Sequence, residues 1–208
     1  MKNTRNRILE TSLMLFNEKG LSSISLRSIA DEMKISVGNL QYHFKKREEI
    51  ISELYFLLVK RMDNLIMTND TKTRSLMSTF FDISRAVSSI FFDYRFFFLD
   101  FNKIIREHTL VREHYRRLTL QRQEQFVDFI SKMQDENLMR DEMIVNEYEN
   151  LFIRFQIISD FWISAANIQA SKISDQVVLQ YFEIICQTIF PYLTKKGKEE
   201  YIRLYNEA

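Results

Sequence analysis

Three glycines and one proline are all the turn chemistry that 208 residues provide, where average usage would give about 15 and 10. A sheet of many short hairpins needs such residues at close intervals. Their scarcity excludes that architecture and leaves long helices. Those helices have much to bury: 18 Phe, 9 Tyr and 46% hydrophobic residues overall place the chain far from intrinsic disorder. The fold expected is therefore all-α. A single cysteine, Cys186, forbids an internal disulfide framework or a cysteine zinc cage and fits a reducing compartment, so the expected location is cytoplasmic. No run of about 18 apolar residues exists, and MKNTRNRILE lacks the apolar stretch of a secretory signal, so no membrane partner is expected.

The amino end divides into three short helices. Ile8, Leu9, Ser12, Leu13, Leu15 and Phe16 recur at helical spacing over residues 4–19, and Gly20 is placed to end that helix in a left-handed conformation. Ser25 is placed to cap a second helix with Leu26, Ile29, Ala30 and Met33 on one face, and Ser36 to cap a third over Val37 to Phe44. The connection between the second and third helices is too short to cross a domain, so the two meet at a sharp angle, as in a helix-turn-helix. Residues 1–47 hold nine Lys/Arg and four Asp/Glu, a balance of +5 in a chain of net charge +1. That asymmetry suits a basic module that meets nucleic acid.

The third helix carries the most chemistry. Leu40 and Phe44, four apart, share a buried face with Met33 and Ile35. That leaves a polar exterior in SVGNLQYHFKKR: Ser36, Asn39, Gln41, Tyr42 and His43, followed by the cations Lys45, Lys46 and Arg47. Asn and Gln pair bidentately with adenine in the major groove, hydroxyls reach phosphate oxygens, and Lys/Arg neutralise the backbone. Gly38 is small enough for a close backbone approach. The blander alternatives are a packing or capping role for His43 and an exposed polar filler at Gln41.

Residues 4–50, through RILETSLMLFNEKG, SLRSIADEM and SVGNLQYHFK, resemble the DNA-binding domain of the tetracycline-repressor (TetR) family of bacterial regulators. The resemblance implies an N-terminal helix-turn-helix domain, residues 1–47, joined to a larger helical effector-binding and dimerisation domain, residues 48–208. It implies phosphate contacts from Ser25, Arg27, Tyr42, His43 and Lys46, and base reading by Ser36, Val37, Asn39 and Gln41. The sequence departs from the family at two places. Gln41 stands where an aromatic commonly follows the leucine, turning a phosphate anchor into a candidate reader. Lys34, also counted on the DNA-binding surface, stands where the turn commonly carries glycine, so an unchanged turn gives Lys34 a positive φ.

Beyond residue 47 the pattern predicts helices near 47–68, 73–91, 94–107, 110–136, 143–170 and 175–193 and a tail near 196–206, with breaks at Asn69-Asp70, Asn137 and Lys172–Asp175. FFDYRFFFLDF, residues 91–101, is apolar nearly all round and must be buried on several sides. Phe81, Phe97, Phe98, Phe101, Tyr115, Phe126, Phe155 and Trp162 are either core or the lining of a cavity for a small apolar effector, and the resemblance favours the effector. A single recognition helix reads few base pairs, so a palindromic operator and a homodimer are expected. Ile158, Phe161, Ala165, Ile168, Val178, Phe182, Ile185 and Ile189 form apolar stripes that serve either as the dimer interface or as internal core.

Enzymatic readings find little support. No GxSxG, Walker or GxGxxG string appears, so no catalytic activity and no cofactor are expected. His108 and His114 lie six apart, which sets their rings about 120° apart around a helix and argues against a two-histidine metal site. The function expected is a DNA-binding transcriptional regulator, a repressor by resemblance, released by a small apolar ligand. The alternative is an all-α binder of a lipid or other apolar molecule whose helix-turn-helix only packs.

Overall fold

The computed structural model describes residues 4–68, 75–170 and 172–207. Among these residues the regular elements are helices, and the one β feature is an isolated bridge between Met139 and Leu193. The expected break at Asn69-Asp70 lies outside the described residues.

Helix α1 spans Thr4–Lys19 and buries Ile8, Leu9, Ser12, Leu15 and Phe16, the face its spacing predicts. Gly20 ends it with φ 77° and ψ 152°. This is a positive φ, as expected, but the extended ψ lies outside the left-handed helix, in a region essentially reserved for glycine. After a 3-10 turn at Leu21–Ser23, α2 covers Leu26–Met33. Its cap is reciprocal: the Ser25 hydroxyl accepts from the Ser28 N–H, and the Ser28 hydroxyl accepts from the Ser25 N–H. Helix α3 covers Val37–His43, with the Ser36 hydroxyl accepting from the Asn39 N–H at 3.1 Å. Between them Lys34 is left-handed, φ 55° and ψ 43°, while Lys34 N–H reaches Asp31 O and Ile35 N–H reaches Ala30 O. That is a Schellman stop, with lysine bearing a strain of about 1 kcal/mol that glycine would avoid.

The remaining helices are α4 (Arg47–Thr68), α5 (Leu76–Asp93), α6 (Arg95–Leu99), α7 (Phe101–Glu107), α8 (Thr109–Asp135), α9 (Glu147–Gln169), α10 (Asp175–Gln187) and α11 (Lys195–Glu207). Three expected helices are shortened or broken. The single helix expected over 94–107 starts after Tyr94 and is interrupted at Asp100, both with non-helical ψ. An unbroken helix would turn some of its phenylalanines to solvent, whereas the short pieces bury Phe96, Phe97, Phe98 and Phe101 together. Helix α9 starts at Glu147 instead of 143, because Asn146 is left-handed and the Glu147 carboxylate turns back to Arg140 and the Met143 N–H. Helix α10 ends at Gln187, before a 3-10 turn that holds Pro191, whose missing N–H cannot continue a helix.

The chain forms two compact units. The first comprises the residues through Met62 together with Ile90–His114, so α6 and α7 belong with the helix-turn-helix. Its interior holds Ile8, Phe16, Leu40, Phe44, Ile50, Tyr55, Phe96 and Phe97. Asn17 fastens α6 to α1: its amide donates to Asp93 O at 2.7 Å and its carbonyl accepts from Phe96 N–H at 3.0 Å. The second unit comprises Asp63–Ser89 and the residues from Tyr115 onward. Its core gathers Met77, Phe81, Met133, Leu151, Phe182, Cys186, Ile189 and Tyr201. Burial pushes the Cys186 thiol up to about 12, which makes it a packing residue. Gly197 is required there, since a Cβ would lie 2.0 Å from Leu138 O.

Candidate nucleic-acid interface

Helix α3 turns two opposite faces to its surroundings. Leu40 and Phe44 are inside the core at 0% and 2% exposure, whereas Tyr42 is 84% exposed. At about 100° per residue, Gly38 and Tyr42 each lie about 160° round the axis from Leu40. Asn39 and Gln41 flank that outward ridge, and both are exposed. Val37 lies toward the inward side and is half-buried, so of the expected base readers it is the least presented.

Ser25, Arg27, Lys34, Ser36, Lys45 and Lys46 are also exposed. Ser22, Ser25, Lys45, Lys46 and Arg47 border an open depression of about 430 Å³ where α2 and α4 begin. Glu48 also borders it, so its three cations outnumber one carboxylate, and with the hydroxyls they suit a phosphate group. Arg47 plays a different part from the one its neighbours in sequence suggest. Its guanidinium donates to Leu21 O at 3.1 Å and Ile24 O at 3.0 Å, which satisfies the carbonyls of the 3-10 turn and holds one wall of the depression. His43 is half-buried, edge-on to Tyr42 with ring centroids 5.2 Å apart. The Glu49 carboxylate accepts from the Lys45 N–H at 2.9 Å and fixes the start of α4.

The eight aromatics expected to line an effector cavity do not share one unit. Phe97, Phe98 and Phe101 are core of the first unit; Phe97 packs on Tyr55 at 5.3 Å and Phe98 on Phe91 at 4.2 Å. Phe81, Tyr115, Phe126, Phe155 and Trp162 belong to the second. There Phe81 packs against Tyr201 and Phe182, and Phe126 against Phe152 and Phe155. Phenylalanines that look alike in sequence separate because residues 90–114 fold back with the amino end. The histidines are also packing groups: His114 Nδ1 pairs with the Tyr55 hydroxyl at 2.9 Å, and burial lowers the pKa of His108.

A polar group inside the second unit escaped the sequence reading. On α8 and α9 the Tyr115 hydroxyl donates to Asp160 Oδ2 at 2.5 Å and accepts from Gln156 Nε2 at 3.1 Å. Asp160 is 8% exposed, and burial raises its pKa to about 6, against the opposing effect of the Tyr115 hydrogen bond. The legible signal was Gln156 and Asp160 four apart on one helix, facing Tyr115 and Thr119 four apart on another.

The residues expected at a dimer interface also divide. Phe182, Ile185 and Ile189 are 3%, 7% and 1% exposed; they are core of the second unit, and this corrects their assignment to an outer surface. Phe161, Ala165 and Ile168 are exposed on α9, while Ile158 and Val178 are half-buried. Ile153 and Ile157 extend the exposed stripe on α9, and Leu179 and Ile184 are exposed on α10.

Residues 58–201 match the family described as TetR, bacterial transcriptional repressor, and residues 8–54 match the bacterial regulatory proteins of the tetR family. The probable HTH-type transcriptional regulator YttP of Bacillus subtilis is 33% identical over 86 residues, 38% of this chain and 42% of that protein. The HTH-type transcriptional regulator AcrR of Shigella flexneri is 33% identical over 69 residues, 33% of this chain and 32% of that protein. The chain thus spans less than half the length of these curated relatives in the matched regions. A TetR-family transcriptional regulator from Marinobacter aquaeolei VT8 shares the fold at TM-score 0.87 and 23% identity, over 99% of this chain and 98% of that one. The ketosteroid transcriptional regulator KstR2 of Mycobacterium tuberculosis does so at TM-score 0.63 and 17% identity, over 94% and 97%.

Proposed function

The chain belongs to the TetR family of bacterial transcriptional repressors, and from that premise we propose that it is a non-enzymatic, cytoplasmic repressor that binds a palindromic operator as a homodimer. The observation that carries this reading is the division of α3: Leu40 and Phe44 fix it to the core while Asn39, Gln41 and Tyr42 face outward. Base edges are read by Asn39 and Gln41, with Ser36 beside them. Phosphates are met by Ser25, Arg27, Tyr42, Lys45 and Lys46, the depression at the start of α2 and α4 seating one of them. Among the described residues no helix is long and apolar enough to cross a membrane.

Dimerisation uses the exposed stripe of α9 and α10, with Phe161, Ala165 and Ile168 central and Ile158 and Val178 at its margin. The second unit binds a small effector. A ligand that prefers the arrangement with wrongly spaced recognition helices lowers operator affinity, and a swing from mostly bound to mostly released takes about 5.5 kcal/mol of differential affinity. Burial of roughly 200 Å² of apolar ligand surface contributes about that much. Selection from a random duplex pool tests the reading. It should return a palindrome whose half-sites lie about 34–36 Å apart or a multiple of that; enrichment of no sequence would overturn it.

A further inference from the structure

Two of the three glycines are demanded by the fold: Gly20 by its φ of 77°, Gly197 by the carbonyl that a Cβ would strike. Gly38 is not. It sits in the first turn of α3 without a positive φ, and a Cβ there would meet no atom within 4 Å. Glycine in a helix loses more chain entropy on folding than alanine, so this residue weakens the protein for no reason found inside it. Gly38 also lies on the outward ridge with Tyr42, between the flanking amides of Asn39 and Gln41. The space that a side chain would fill is open to whatever α3 meets.

We propose that Gly38 is the point of closest approach between α3 and the bases, its bare methylene lying against the C5-methyl of a thymine in each half-site. The inference rests on α3 entering the major groove. A glycine Cα offers apolar hydrogens and no side-chain donor, and the thymine methyl is the apolar feature that the major groove displays. A side chain as small as alanine's would occupy the volume of that methyl. The flanking amides would then be held away from their base edges, so one added carbon disturbs several contacts.

The test uses the full chain and the duplex that the wild-type protein enriches from a random pool. Gly38→Ala should raise the thermal midpoint by about 1–4 °C, yet weaken binding to that duplex at least about tenfold while leaving binding to unselected duplex unchanged. Replacing thymine by uracil, one position at a time, should restore most of the lost affinity of Gly38→Ala at one position per half-site. Equal affinity of Gly38→Ala and wild type, or a loss that no uracil relieves, would overturn the inference while leaving the regulator reading intact. A wild-type chain that enriches no duplex would remove both.

Discussion

Asp160→Asn separates the buried carboxyl on α9 from every other ionisable group. Asp160 is 8% exposed and its pKa is raised from 3.8 to about 6. A raised folded-state pKa means that the folded chain holds a proton which the unfolded chain has released. The stabilisation is complete below the unfolded value and is lost as pH climbs through about 6. At about 1.4 kcal/mol per pH unit the whole interval is worth about 3 kcal/mol, of which about 2 falls between about pH 4.5 and 7.5. Asparagine still accepts from the Tyr115 hydroxyl but cannot ionise. Its buried amide N–H groups cost about 1–3 kcal/mol at every pH, so the variant's stability relative to wild type must be followed as pH changes. Urea unfolding at fixed salt should show the variant gaining on wild type by about 2 kcal/mol over that range, a midpoint shift of about 0.7 M for a slope near 3 kcal/mol/M. Parallel pH profiles would mean that Asp160 ionises alike in the folded and unfolded chain, in contact with water.

Further outcomes follow from the same geometry. Gln41→Ala and Asn39→Ala should each relax sequence preference by about 1–3 kcal/mol in competition binding, whereas Lys46→Ala should weaken operator and random duplex alike; equal losses on both duplexes for Gln41→Ala would make it filler. Glu147, held down at about 2 by Arg140 and the Met143 N–H, stabilises the start of α9 above its ordinary 4.5. Glu147→Gln should therefore lower the thermal midpoint near neutrality, with the difference fading as acid carries the wild-type carboxylate toward about pH 2. Phe161→Glu sets a charge in the proposed dimer stripe, and sedimentation should show protomers where wild type sediments as dimers; an unchanged dimer would place the interface elsewhere.

Much of the amino end was legible because its signals are local. Ser25, Ser36 and Gly20 mark helix ends by side-chain or backbone chemistry that acts within four residues, whereas the strained Lys34 followed from the family resemblance, in which that turn commonly carries glycine. The structural part that Arg47 plays was not legible because its partners, Leu21 O and Ile24 O, lie more than twenty residues back. The second unit was less legible for a related reason. Apolar periodicity identifies a face without saying what covers it, so Phe182 and Ile168 read alike although one is core and the other is 85% exposed. The phenylalanines of residues 91–101 were assigned to the wrong body because only the return of α6 to Asn17 reveals their place.

In the proposed function, α3 and the cations around it meet duplex DNA as a sequence-reading surface. Affinity for the selected duplex and for a scrambled one, measured from about 50 to 200 mM salt, tests it most directly. Both affinities should fall steeply with salt while the selected duplex stays at least about a thousandfold tighter at each concentration. Salt-insensitive binding, or equal affinity for the two duplexes, would contradict it.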